Sequence, residues 1–92
     1  MNDKDKLAYY QFLNKIKLNT KQRAMIDVLI ENKGYLSNSM YQETQGVTKL
    51  TASRHIKDML NNNVLKKSTI AGRTKYELTS LQELTKERLL EK

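Results

Sequence analysis

Ninety-two residues, 38% of them hydrophobic, suffice for one small domain with a modest core. A formal charge of +7 points to a polyanionic partner; the lack of cysteine excludes a disulfide framework and thiolate metal sites, and a single histidine all but closes off structural zinc. No apolar run approaches a membrane span and Met1-Asn2-Asp3-Lys4-Asp5 lacks a secretion-signal pattern, so the expectation is a cytoplasmic protein with no membrane partner.

Residues 6–18, KLAYYQFLNKIKL, place Leu7, Tyr10 and Leu13 at i, i+3 and i+6, with Tyr9, Phe12 and Ile16 on the flank. The spacing predicts a short helix whose apolar arc is wider than one surface helix needs. One side of it is therefore expected to meet a second subunit, which would also ease the low hydrophobic content. Tyr9, Tyr10 and Phe12 could instead stack on unpaired bases, but aromatic residues at helical spacing usually belong to a core.

Asn19 or Thr20 opens a second helix, and Asn19 with Gln22 fits a capping box, in which two side chains reciprocally satisfy backbone amides of the first turn. Ala24, Met25, Val28 and Leu29 are its expected buried stripe, widened by Ile26 and Ile30, and Gly34 is placed to end it. Tyr35-Leu36 is expected to add a short edge strand. Ser37, Asn38 and Ser39 are three candidate caps in a row, of which Ser39 with Gln42 best fits the box. A helix of about two turns follows, with Met40, Tyr41 and Thr44 as packing residues and Gly46 as its end.

Thr48 is the next N-cap. Behind it Ala52, Ile56, Met59 and Leu60 lie on one helix face, while Leu50, Arg54, Lys57 and Asn61 occupy the opposite one, with Lys49 and Ser53 at its leading end. Asn61-Asn62-Asn63 ends this helix, because asparagine tolerates the left-handed conformation. Residues 64–68 and 75–78 then bracket a long basic tip, with Gly72 where a hairpin turn needs positive φ. Ser80 and Glu83 form a further capping box, opening a last helix to about Glu91 on which Leu81 and Leu84 share a face. That face is expected to pack along the first helix or against its mate, so the expected dimer interface is Leu7, Tyr10, Leu13, Leu81 and Leu84. There is no repeat, proline or low-complexity linker, and residues 1–92 read as a single domain.

Charge is unevenly spread. Residues 46–78 hold seven basic residues against two acidic ones, a net +5, whereas residues 1–45 are only +2 and the remainder is neutral. A solvated lysine-rich surface is the ordinary account of a charge run; concentration on one helix face and one hairpin favours nucleic acid. No nucleophile motif, phosphate-binding glycine loop or metal-ligand spacing is found, so no enzyme, cofactor or metal site is expected. His55, on the flank of the central helix, reads as a partly buried and hydrogen-bonded histidine, with a phosphate contact as the alternative.

A short helix, the Gly46-Val47-Thr48 turn, an amphipathic helix and a basic two-strand hairpin, GVTKLTASRHIKDMLNNNVLKKSTIAGRTKYEL, resemble a winged helix-turn-helix DNA-binding domain across residues 20–78. The expected fold is thus mainly α with a small β-hairpin wing, about five helices and two to three short strands. The resemblance implies that Thr48, Lys49, Leu50, Ser53, Arg54 and Lys57 face the major groove or its flanking phosphates, with Arg54 the best candidate for guanine and Ser53 able to serve either base type. Lys66, Lys67, Arg73, Thr74 and Lys75 of the wing would meet the backbone or the minor groove.

Small winged helices of this kind include bacterial and archaeal transcription repressors. They also include the centromere-binding adaptors of plasmid and phage partition systems, which recruit a motor protein. GRTKYELTSLQEL looks like the wing and closing helix of both groups. Either implies a homodimer on double-stranded DNA, associated with the nucleoid or a plasmid. A winged helix used only for protein contacts usually loses the basic helix face, and here Lys49, Arg54 and Lys57 remain. RNA suits the charge but not a helix shaped for a wide groove.

Overall fold

The computed structural model describes residues 3–32 and 34–79. Four helices precede a two-stranded sheet: α1 (Asp3–Leu13), α2 (Thr20–Asn32), α3 (Asn38–Gln45), α4 (Lys49–Asn61), β1 (Leu65–Ile70) and β2 (Arg73–Leu78). The expected fifth helix, with its Ser80–Glu83 box and with Leu81 and Leu84, lies outside the described residues. No helix among the described residues is long and apolar enough to cross a membrane.

α1 stops at Leu13, five residues short of the expected helix end. Its last turn tightens, with the amides of Lys15 and Ile16 donating to the carbonyls of Phe12 and Leu13, three residues back. The buried edge also differs from expectation. Tyr9 and Leu13, one turn apart, are in the core, while Leu7 is 62% exposed. The Tyr9 hydroxyl donates to the Thr79 carbonyl (3.1 Å), and burial raises its pKa well above the usual tyrosine value. Tyr10 is half-buried and donates to Asp27 Oδ1 (2.8 Å), the main reason its pKa is pushed up to about 12.

α2 opens on the expected capping box: the Gln22 amide donates to Asn19 Oδ1 (2.7 Å) and the Asn19 amide to Gln22 Oε1 (2.9 Å). The buried stripe is Gln22, Met25, Ile26, Leu29 and Ile30, rotated from the expected one, with Ala24 and Val28 at its half-buried margin. Ser37, not Ser39, caps α3, its Oγ accepting from the Met40 amide (3.1 Å). All three candidates satisfy the local rule; starting at Asn38 is what puts Tyr41 fully into the core. Gly46 ends α3 at φ 63°, and the Val47 amide reaches back to the Gln42 carbonyl (3.3 Å), closing the turn as a Schellman-type cap.

α4 matches its expectation closely. Thr48 caps it by accepting from the Thr51 amide (3.2 Å), and Ala52, Ile56 and Met59 are buried. It ends at Asn61, and Asn63 takes the left-handed conformation at φ 62°. The chain then enters an antiparallel hairpin with Leu65 opposite Leu78 and Ile70 opposite Arg73. The strands run further than expected, so the tip is a two-residue turn, Ala71-Gly72, rather than a long loop. The expected third strand is a single bridge, in which Leu36 and Tyr76 exchange backbone hydrogen bonds of 2.6 and 2.8 Å. Leu36, Val64 and Leu65 join the helical residues in one core.

Ala71 and Gly72 both have positive φ, 53° and 75°, as tight hairpin turns matching strand twist require. Glycine adopts this conformation freely; an alanine Cβ there costs about 1–2 kcal/mol. Asparagine tolerates it best among side-chain-bearing residues, and Ala71 is exposed. Ala71→Asn should therefore raise stability by up to about 1 kcal/mol, read as a higher denaturant midpoint at unchanged slope. A lowered midpoint would show that the Ala71 methyl makes a contact outweighing the strain.

Candidate nucleic-acid interface

α3, the Gly46-Val47-Thr48 turn and α4 form a helix-turn-helix in which α4 shows one face to the core and the other to solvent. Thr48, Lys49, Leu50, Ser53, Arg54 and Lys57 are all exposed, along one continuous strip. The structure thus brings together every helix residue expected at the site. Its cations reach solvent because the residues between them, Ala52, Ile56 and Met59, are drawn inward.

Three side chains hold α4 from behind. Gln22, 2% exposed, donates through Nε2 to the His55 carbonyl (3.1 Å) and to Asp58 Oδ2 (3.0 Å). Tyr41 packs edge-on against the His55 ring, centroids 5.5 Å apart, with its hydroxyl 2.8 Å from Nδ1. Burial pushes the Tyr41 pKa up to about 12. His55 Nε2 faces Asn19 Nδ2 at 3.4 Å. Both ring nitrogens of the half-buried histidine therefore have partners within the fold, as the first of its two expected roles requires.

On the front, Asn38 Nδ2 donates to Ser53 Oγ (2.9 Å) and to the Lys49 carbonyl (3.3 Å), while Gln42 Nε2 donates to Asn38 Oδ1 (2.5 Å). Asn38 and Gln42 therefore brace the leading end of the α4 strip, whereas the sequence suggests for them only capping roles. Their i, i+4 spacing was visible, but the reach across the turn to Ser53 is a tertiary fact. Lys21 closes the other end of α3, donating to the Gln45 carbonyl (2.8 Å).

The hairpin divides its basic residues. Alternation places Lys66, Arg73 and Lys75 on one face with Glu77, and Lys67 and Thr74 on the face that carries Leu65 and Leu78 toward the core. Lys67, Arg73 and Thr74 are exposed and Lys75 is half-buried. Lys66 lies directly opposite Glu77 and pairs with it at 3.5 Å, so part of its charge is neutralised within the strand pair. No group of three or more histidine, cysteine, aspartate or glutamate side chains that could hold a metal occurs among the described residues.

The same architecture occurs in solved structures. Two crystal structures of the adhesin competence repressor (AdcR) from Streptococcus pyogenes superpose on the chain with TM-scores of 0.63 and 0.61. The chain has the winged helix-turn-helix fold. Both likenesses are at 19% identity; the first covers 95% of this chain and 69% of the repressor, and the second, a C-terminally His-tagged form, 92% and 72%. No protein-family model and no curated protein matches the chain. Within the winged helix, α4 is the second helix of the motif and the hairpin is the wing.

The winged helix depends on Gln22 to set α4. Gln22→Leu keeps much of the volume but removes two donors to α4 and the acceptor that caps α2. Each of the three losses costs about 0.5–1.5 kcal/mol, so a total destabilisation of about 1.5–4.5 kcal/mol is expected in chemical denaturation. A neutral result would mean that packing alone fixes α4.

Proposed function

We propose that the protein is a site-specific double-stranded-DNA-binding regulator that acts as a homodimer, with α4 as the reading helix. The observation that carries this reading is the exposed strip Lys49, Ser53, Arg54 and Lys57, on a helix braced from behind by Gln22 and Tyr41 and flanked by a wing bearing Lys67 and Arg73. Such a strip fits the major groove, where Arg54 offers a forked donor for O6 and N7 of guanine and the lysines meet phosphates. The repressor function of the structural neighbour agrees with this chemistry.

Arg54 and Arg73 separate reading from sticking. Arg54→Ala should lose affinity for the selected site well beyond its loss on random duplex, by about 1–3 kcal/mol of discrimination. Arg73→Ala should weaken both duplexes more evenly, and Lys67→Ala should reduce the log–log salt slope by about 0.9. Titrations of the two duplexes across salt concentrations provide the comparison. If Arg54→Ala binds the selected site as wild type does, α4 is not the reader. A footprint spreading over many tandem repeats would place the protein instead with partition adaptors.

The proposed dimer uses α1 together with the segment bearing Leu81 and Leu84. Leu13 is only 1% exposed and belongs to the core of its own chain, which removes it from the expected interface. Leu7, at 62% exposed, is the apolar side chain α1 leaves uncovered, next to half-buried Tyr10. Leu7→Asp should shift sedimentation from dimer to monomer with little change in melting temperature, because an exposed position contributes little to the fold. A monomeric wild type at high concentration, alone and on DNA, would refute the dimer.

A further inference from the structure

Leu50 departs from the face on which it sits. It lies in the first turn of α4, two residues after the cap Thr48, and is 64% exposed. Its surface neighbours along the helix, Lys49, Ser53, Arg54 and Lys57, are all polar and exposed. The core side of α4 is the opposite one, through Ala52, Ile56 and Met59, so Leu50 adds nothing to the buried core. A single exposed leucine on a neutral surface calls for no explanation. Here the surroundings decide: a large apolar side chain stands among three cations, at the leading end of the strip that presents them.

The complementary surface is a polyanion with an isolated apolar point. The major groove of DNA has that form wherever thymine presents its 5-methyl group, and small apolar side chains are known to rest on it. Ser53, held by Asn38 at 2.9 Å, stands one turn further along the helix as a hydroxyl that can face a base edge. We propose that Leu50 packs against the 5-methyl of a thymine and thereby makes the protein prefer thymine at that step. The proposal rests on the reading of α4 as the major-groove helix. Removing one methyl-sized apolar group from such a contact corresponds to about a fourfold change in affinity, from roughly 0.8 kcal/mol per buried carbon.

The test uses the full chain and a duplex selected from a random library by the wild-type protein. Each thymine of that duplex is replaced in turn by deoxyuridine, which deletes the methyl and nothing else. Wild type should lose about fourfold on replacement of one particular thymine in the footprint of each bound copy. Leu50→Ala should bind the unmodified duplex more weakly and show no further loss on that replacement. Leu50→Met, which keeps an apolar contact, should remain sensitive. Thermal melts should be alike for all three, as the side chain is exposed. If wild type ignores every replacement, or if Leu50→Ala responds to them as wild type does, the proposal is overturned while sequence-specific binding stands. If no sequence is selected at all, the reading of α4 falls and the proposal with it.

Discussion

The direction in which α4 faces depends on the buried carboxamide of Gln22. At 2% exposure this group has no water to fall back on, and the fold uses both of its donors and its oxygen. The oxygen caps α2; the nitrogen grips α4 at His55 and Asp58. An apolar residue could hold the two helices at the right distance, yet it would say little about rotation. Hydrogen bonds are directional, and an unmade one in the interior costs about 1–3 kcal/mol. The amide therefore penalises any roll of α4 that would turn Arg54 and Lys57 away from solvent. Tyr41 against His55 resists the same motion from α3.

What could be read from sequence was mostly what four or five consecutive residues decide. The Thr48 cap, the Ala52-Ile56-Met59 face, the Asn19–Gln22 box and the left-handed Asn63 are each local bargains between side chain and backbone, and each is found. The misses occur where local rules permit several answers and tertiary packing chooses. Ser37 and Ser39 are equally good caps until Tyr41 must be buried. The arc of α1 is wide enough to turn either way until the Tyr9 hydroxyl finds the Thr79 carbonyl, seventy residues on. At the wing tip the sequence marks only Gly72 for positive φ, and the two-residue turn depends on Ala71 adopting it as well.

The same division runs through the candidate interface. Its helix half was legible, since a cationic stripe at helical spacing is a property of the string itself. Its wing half was legible only as a count of basic residues. Which of them share a face follows from strand register, and register also reveals that Lys66 already has Glu77 opposite it. Asn38 was read as a possible cap, and its actual place against Ser53 and Lys49 depends on how two helices meet.

The root of the wing is held at two points along β2. Tyr76 is bridged to Leu36, and Thr79, just past the strand end, is clasped by Tyr9 of α1. The Ala71-Gly72 tip projects from these fixings, exposed at both residues. In mechanical terms the hairpin is a cantilever. A load applied at the tip is carried down β2 as torque and delivered to Leu36, two residues before the Asn38 that holds Ser53, and to α1.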